Sequence, residues 1–206
     1  GNIDEPIKKY HSDMSQKLYS YSKQWFYLYF YDALKSGEEG VLARAKLYIG
    51  DLCGENEAKV TLENSDKGTN YSGKVRLHNS KDYLIFKLQT EKTKEKNLHI
   101  NVIIKPEQVS ELAVGIYCNI DDAGALRAGS LMLQHIKGKA IETMTATSLP
   151  KDADEFKKLE RHITLFFEKK QLNYLKVTKG IYTYEKLKAF FEKQKKKNKT
   201  SSASKD

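Results

Sequence analysis

Apolar and polar residues alternate along most of the first two thirds of this chain. Eight runs show the period of two that is typical of half-buried β-strands. They are Gln24–Tyr31, Val41–Ile49, Ala58–Glu63, Tyr71–His78, Tyr83–Gln89, Leu98–Lys105, Leu112–Ile120 and Gly129–Ile136. Turn-forming segments such as KSGEEG and DLCGEN separate the runs, and no helical pattern lies between them. The pattern therefore predicts an eight-stranded antiparallel meander barrel, which leaves no exposed edge.

Helical periodicity lies on both sides of the predicted barrel. Apolar residues recur at helical spacing before it, at Ile7, Tyr10, Met14 and Leu18. After it, a similar stripe contains Phe156, Leu159, Ile163, Phe166 and Phe167, and Thr183 is placed to cap a second helix. We therefore expect a C-terminal pair of helices, packed over a barrel end or forming a small separate unit. The predicted division is an N-terminal helix (1–22), a β-barrel (23–137), a C-terminal helical segment (138–192) and a disordered lysine-rich tail (193–206).

The net charge of +9 over 206 residues raises the question of an acidic partner. Residues 193–206 hold six lysines and one aspartate, so more than half of that charge lies in the tail. Such a run is typical of a solvated extension, or of an electrostatic anchor for nucleic acid. No apolar run approaches the roughly 18 residues that span a bilayer, and Cys53 and Cys118 stand in no paired motif. We therefore expect a cytoplasmic protein without a membrane segment.

Motifs for the common chemistries are incomplete. Gly124 and Gly129 have P-loop spacing, but Ser130 and Leu131 stand where Lys and Ser/Thr are required. An EF-hand loop beginning at Asn119 lacks oxygen donors at its fifth and twelfth positions. The five histidines show no zinc-binding spacing, and no G-x-S-x-G nucleophile elbow occurs. We expect no metal, no cofactor and no catalytic residue, while an enzyme with dispersed catalytic residues stays an alternative.

The segment WFYLYFY concentrates aromatic side chains on the first predicted strand. Because successive strand residues point to opposite faces, the segment has two different faces. One face carries Trp25, Tyr27, Tyr29 and Tyr31, and the other carries Phe26, Leu28 and Phe30. In one interpretation the Phe/Leu face fills the barrel, and the Trp/Tyr face packs under a helix or toward solvent. In the other, the Trp/Tyr face lines a cavity for a planar ligand.

Three arginines are candidates to bind an anionic ligand, since a guanidinium group binds phosphate through two hydrogen bonds. They are Arg44, Arg76 and Arg127, the last in a loop before the eighth run. Exposure to solvent is the commoner fate of an arginine. The sequence leaves both interpretations open for each of them.

The stretch GIYCNIDDAGALRAGSLML, from Gly115 to Leu133, predicts a hairpin with a polar loop. Tyr117 and Asn119 are two positions apart, so they point to the same side of the first strand. Ile116 and Cys118 point to the other side. If this strand lines a ligand cavity, we expect the polar pair inside the barrel and the apolar pair against the helices.

Three segments carry a resemblance to a known family: WFYLYFYDAL, YSGKVRL, and GIYCN followed by AGSLML. Across residues 24–136 the chain resembles the lipocalin-like eight-stranded β-barrel sensor domain of CBASS antiphage effectors. The resemblance implies recognition of a cyclic dinucleotide within the barrel. It would place near that ligand Trp25, Tyr27, Tyr29, Tyr117, Asn119 and Arg127. The chain differs from the family in lacking two membrane-spanning helices and in adding C-terminal helices.

Three functions follow from these observations. The first is a non-enzymatic sensing barrel that binds a nucleotide-like or planar anionic small molecule and contacts a protein partner through its helices. Its candidate ligand-binding residues are Trp25, Tyr27, Tyr29, Arg44, Tyr117, Asn119 and Arg127. The second is a nucleic-acid-associated regulatory module that uses the aromatic face for stacking and the lysine tail as an anchor. The third is an enzyme. Steep salt dependence would distinguish the second function from the first.

Overall fold

The computed structural model contains the closed antiparallel barrel that the alternation predicts. It describes residues 16–32, 41–54, 56–64, 70–78, 82–91, 97–104, 109–120, 126–168 and 175–177. The barrel strands are β1 (Gln24–Asp32), β2 (Val41–Gly54), β3 (Glu57–Glu63), β4 (Asn70–Leu77), β5 (Tyr83–Thr90), β6 (Asn97–Ile103), β7 (Leu112–Ile120) and β8 (Leu126–Ile136). All eight predicted strands are present. Two differ clearly in extent, since β2 continues past Ile49 and β8 begins before Gly129.

Strand β1 closes the barrel because it pairs with β2 on one side and with β8 on the other. Leu28, for example, lies opposite Ala45 of β2 and opposite Leu133 of β8. From β2 to β8 each strand pairs antiparallel with the next. Every barrel strand therefore pairs with two other barrel strands, and the sheet closes on itself.

Apolar side chains from alternate positions of the strands fill the barrel interior. On β1 these are Phe26, Leu28 and Phe30, so the Phe/Leu face of WFYLYFY points inward. The other strands contribute Leu47, Ile49, Val60, Leu62, Val75, Phe86, Leu88, Ile100, Val102, Leu131 and Leu133. Each such side chain contributes about 1.5–3 kcal/mol through burial. The interior is thus a packed hydrophobic core over most of its length.

A helix, α1, closes one end of the barrel beside the start of β1. Its described part is residues 16–21, and the rest of the predicted N-terminal helix lies outside the described residues. Leu18 and Tyr21 join the interior core, and the Tyr21 ring stacks on Phe26 with 6.4 Å between centroids. The backbone N–H of Ser110 donates to the Tyr21 hydroxyl at 3.4 Å, and burial raises the pKa of this tyrosine.

Glycines occupy two positions where neighbouring strands approach closely. A Cβ atom on Gly73 would overlap the carbonyl oxygen of Lys87, and one on Gly115 would overlap the carbonyl oxygen of Asn101. Both glycines face the interior, where a small barrel must bend its strands sharply. Only a residue without a side chain allows this approach.

The described part of the chain after β8, residues 137–168 and 175–177, lies on the outer wall of the barrel and not at an end. It forms a 3-10 turn (Gly138–Ile141), β9 (Thr147–Leu149), α2 (Asp154–Lys157), α3 (Arg161–Glu168) and β10 (Leu175–Val177). The expectation of one helix running through the Phe156–Phe167 stripe was wrong, because two short helices share that stripe. Strand β9 was not predicted, since three residues are too short for a periodic signal. It pairs with residues 42–44 of β2, ahead of the part of β2 that pairs with β3.

A second hydrophobic cluster holds this C-terminal segment against the barrel. Its buried members are Tyr29, Leu42, Met132, Leu149, Ile163 and Phe167. Phe156, Leu159 and Phe166 pack around them. The helical stripe seen in the sequence is therefore a packing surface, although its elements are shorter than expected.

Several predictions lie outside the described residues. These concern the helix beginning at Thr183, the disordered tail 193–206 and the hairpin loop at 121–125. The chain divides into two compact units, Gly1–Lys176 and Val177–Asp206. Almost all described residues belong to the first unit, which contains the barrel.

Candidate functional site at the barrel end opposite helix α1

The seven residues expected to bind a ligand lie in two separate places. One group points into the barrel: Tyr117, Asn119 and Arg127. The other group lies on the outer wall: Trp25, Tyr27, Tyr29 and Arg44. The packed wall of the barrel separates the two groups, so they do not form a single site.

The inner group lies at the end of the barrel remote from α1. Tyr117 is opposite Ile100, and Asn119 is opposite Leu98, both of which belong to the interior core. Tyr117 and Asn119 are near the C-terminal end of β7, whereas α1 packs near the start of β1. The interior therefore changes from apolar to polar toward this end.

Arg127 lies on a strand and not in the hairpin loop where we expected it. Strand β8 begins at Leu126, which places Arg127 directly opposite Asn119 and directs it inward. The residue is only 6 % exposed. A guanidinium group stays protonated even when buried. Arg127 consequently supplies a fixed positive charge and several hydrogen-bond donors inside the barrel.

Tyr117 is held firmly at this end. Its hydroxyl donates to the backbone carbonyl of Tyr31 at 3.2 Å, and its ring meets Phe30 edge-on at 5.8 Å between centroids. The expectation that Tyr117 and Asn119 lie inside is confirmed. The expectation that Ile116 and Cys118 pack against the helices was wrong, because both are exposed, Ile116 to 62 %. The C-terminal segment covers β1, β2 and β8 instead.

Asn119 borders a small cavity of about 40 Å³ within the barrel end. Its Oδ1 atom is buried and has no hydrogen-bond partner in the structure. The remaining lining consists of Leu28, Phe30, Leu62, Asn64, Tyr71, Leu98, Ile100, Tyr117 and Leu131. A void of this size holds a few water molecules or one polar group of a ligand, since a single water needs roughly 10–15 Å³.

Tyr71 and Asn64 belong to this site, and the sequence analysis missed both. Tyr71 is buried next to the cavity, and burial raises the pKa of its hydroxyl. The register places Tyr71 of β4 opposite Leu62 of β3, which identifies its inward direction. The alternation of apolar and polar residues could have indicated that Tyr71 points inward. It could not have indicated that Tyr71 of β4 and Asn119 of β7 line the same cavity.

The outer group has a structural role. Tyr29 is 2 % exposed, and its hydroxyl donates to Gln134 Oε1 at 2.9 Å. Gln134 Nε2 in turn donates to Glu160 Oε1 at 2.8 Å, which connects β1 to the start of α3. Burial raises the pKa of Tyr29, while the charge of Arg44 opposes that rise. Tyr29 is thus buried under the C-terminal segment and unavailable for stacking on a nucleobase.

Arg44 binds the C-terminal segment to the barrel wall. Its Nε donates to the Thr145 carbonyl at 3.2 Å, and its Nη2 donates to the Thr145 hydroxyl at 3.0 Å. The guanidinium also lies 3.5 Å from Glu155 Oε2 and 4.6 Å from the centre of the Tyr27 ring. The Tyr27 hydroxyl accepts a hydrogen bond from the Thr145 backbone at 3.1 Å. The Nε and Nη2 groups of Arg44 thus already donate to Thr145, and an anionic ligand would have to compete for them.

Trp25 lies apart from the other members of the outer group. Its ring packs against Tyr48 of β2 with 4.6 Å between centroids. Trp25 is half-buried, at the opposite end of β1 from the cavity. It therefore belongs to neither the inner site nor the contacts of Arg44.

Two features were sought among the described residues: a cluster of metal ligands and a helix able to span a bilayer. Among them, no three His, Cys, Asp or Glu side chains are gathered closely enough to hold a metal ion. Of the helices in the described part of the chain, none has the length and apolar character needed to cross a bilayer.

Known proteins provide no guide to the site. The sequence matches no protein-family model and no curated protein, and the fold matches no solved structure.

Proposed function

We propose that the barrel is a non-enzymatic sensor that binds a small anionic ligand at the end opposite α1. The observation that carries the proposal is the pair formed by Arg127 and Asn119, which face each other at the inner wall. Arg127 offers a fixed charge for an anionic oxygen. The unpartnered Oδ1 of Asn119 needs a donor, such as a hydroxyl or amino group. The proposed ligand therefore carries an anionic group next to a hydrogen-bond donor.

The size of the cavity limits how such a ligand binds. Pockets that enclose whole drug-sized ligands measure about 300–1,000 Å³, whereas this cavity measures about 40 Å³. One phosphate or carboxylate group therefore enters the barrel, and the rest of the ligand lies at its mouth. Tyr117 and Tyr71 contribute aromatic surface near the point of entry.

The nucleotide-like character of the ligand is supported by the sequence resemblance to CBASS sensor barrels. A cyclic dinucleotide satisfies the chemistry, since it carries phosphates and base amino groups. In the proposed complex one phosphate would lie beside Asn119, toward Arg127 on the neighbouring strand, while the bases would remain outside. A role in antiphage signalling follows only if such a ligand binds.

Isothermal titration calorimetry with inorganic phosphate, a nucleoside monophosphate and a cyclic dinucleotide tests the proposal. We expect at least one of them to bind the parent protein. Replacing Asn119 with Leu keeps the side-chain volume but removes the amide, and we expect an affinity loss of about tenfold or more, equivalent to one hydrogen bond.

The matched control is Cys118→Ser, which changes the adjacent outward-facing residue. It should bind like the parent protein. Binding that is equal in the parent and in Asn119→Leu would contradict the proposal, as would the failure of all three compounds to bind.

A further inference from the structure

Basic side chains form a row across the outer wall of the barrel, away from both groups described above. Lys59 of β3 pairs in register with Lys74 of β4, which pairs with Lys87 of β5. Lys87 in turn lies opposite His99 of β6. Arg76 lies two residues along β4 from Lys74 and points to the same side. All five side chains are exposed to solvent.

Lys74, Arg76, Lys87 and His99 border a shallow groove of about 260 Å³. Lys59 is not part of its lining but lies beside it, on the strand next to Lys74. Strands are about 4.8 Å apart, so the row from Lys59 to His99 extends over roughly 14 Å of surface. The amides of Gln89 and Asn97, which hydrogen-bond to each other at 3.2 Å, lie on the same wall. The groove is therefore long, polar and mainly cationic.

A single carboxylate, Glu57, lies among the residues that line this groove. Lys74 Nζ donates to Glu57 Oε2 at 2.6 Å, although Lys74 keeps 56 % of its side chain exposed. This hydrogen bond lowers the pKa of the Glu57 carboxyl. The charges of Arg76 and Lys87 act on that pKa in the same direction. Several cations thus surround one anion, and the groove keeps a positive excess.

Such an arrangement does not stabilise the fold. Like charges directly opposite each other on neighbouring strands are destabilising, and the row contains two such lysine pairs. A row of this kind becomes favourable when an external anion lies along it. Its length suits a ligand that carries several regularly spaced negative charges.

We propose that this outer cationic groove binds the phosphate backbone of a nucleic acid. Protein–protein interfaces are depleted in lysine and depend on buried aromatic or apolar anchors. Surfaces that bind nucleic acid are more polar and much more positive, as this groove is. Contact is made through lysine and arginine with phosphates, so binding is independent of base sequence. The proposal does not depend on the site inside the barrel.

Fluorescence anisotropy with a labelled oligothymidylate, measured on the full chain at several NaCl concentrations, tests this inference. The variant Lys59→Gln/Lys87→Gln removes two phosphate contacts. For a single strand this should reduce the slope of log affinity against log salt by about 1.4. The ratio of parent to variant affinity should then grow about sevenfold between about 200 mM and about 50 mM NaCl.

Two further variants separate the groove from general charge. Lys139→Gln/Lys158→Gln removes the same charge from exposed positions after β8 and should leave the slope nearly unchanged. Glu57→Gln removes the carboxylate that competes for the cations and should strengthen binding. Equal losses in the two lysine variants would overturn the proposal, as would unchanged or weaker binding by Glu57→Gln.

The probe identifies the class of partner. A duplex of the same length distinguishes double-stranded from single-stranded nucleic acid, and binding to either supports the inference. A polyglutamate peptide of equal charge should bind more weakly than the oligonucleotide. The proposal is wrong if polyglutamate binds more tightly than the oligonucleotide and if Lys59→Gln/Lys87→Gln weakens polyglutamate binding the most. The partner would then be an acidic protein.

Discussion

Adjacent residues on β7 have opposite environments, and this contrast determines what each side chain does. Tyr117 and Asn119 point toward the core, whereas Ile116 is exposed on the outer wall. Alternation along the strand predicted which residues share a side. It could not predict which elements cover the outer side, because that depends on where the C-terminal segment packs. Because Ile116 is exposed, its truncation should cost little stability.

Replacing Ile116 with Ala should change the free energy of unfolding by no more than about 0.5 kcal/mol, as is usual for exposed positions. Replacing Ile100 with Ala, on the neighbouring strand and fully buried, should cost about 2–5 kcal/mol. Urea denaturation of both variants checks the comparison. Similar losses in the two variants would mean that the assigned faces of β6 and β7 are incorrect.

The position of Arg127 on a strand, directly opposite Asn119, could not be recognised from the sequence. The residues ALRAG around it contain small side chains and glycine, which obscure the period of two, so the eighth predicted strand began at Gly129. Pairing with β7 extends that strand and places Arg127 opposite Asn119. Register between strands, a property of the folded barrel, therefore determines that Arg127 lies directly opposite Asn119.

At the level of elements, the barrel strands could be predicted because each has six or more residues with one apolar face. The C-terminal elements could not, because β9 has three residues and α2 has four. A short element has little intrinsic stability, and its structure depends on packing against Tyr29 and Leu42 of the barrel. The apolar stripe from Phe156 to Phe167 identified the buried side chains correctly and the helix lengths incorrectly.

Gly115 provides a test of how closely β6 and β7 approach each other. Ala at this position would place its Cβ against the backbone of Asn101, so the strands must separate. We expect destabilisation of about 1–3 kcal/mol or more, as for other overpacked sites. Thermal denaturation followed by circular dichroism measures it.

Gly54→Ala is the matched control for that variant. Its Cβ would meet no atom closer than 3.9 Å, so it should unfold near the temperature of the parent protein. If Gly115→Ala were as stable as Gly54→Ala, the close approach of β6 and β7 would not exist in solution.

For the whole molecule, the structure places the three arginines that were candidates for anion binding on three separate surfaces. The barrel interior changes from an apolar core near α1 to the polar group around Arg127. The wall formed by β1, β2 and β8 holds the C-terminal segment through Arg44 and Tyr29. The wall from β3 to β6 carries the outer cationic groove. Each surface contains a different arginine, and this makes the surfaces distinguishable by experiment.

Binding of the anion inside the barrel end is tested most directly on the four arginines of the sequence, Arg44, Arg76, Arg127 and Arg161. Their Nε–Hε signals in a ¹H–¹⁵N spectrum are assigned with single Arg→Lys variants and followed during titration with a nucleoside monophosphate. We expect the Arg127 signal to shift and saturate, together with the side-chain amide of Asn119, while the Arg44 signal stays in place. Saturating shifts of Arg44 or Arg76 with an unchanged Arg127 signal would contradict the claim that the anion binds inside the barrel end.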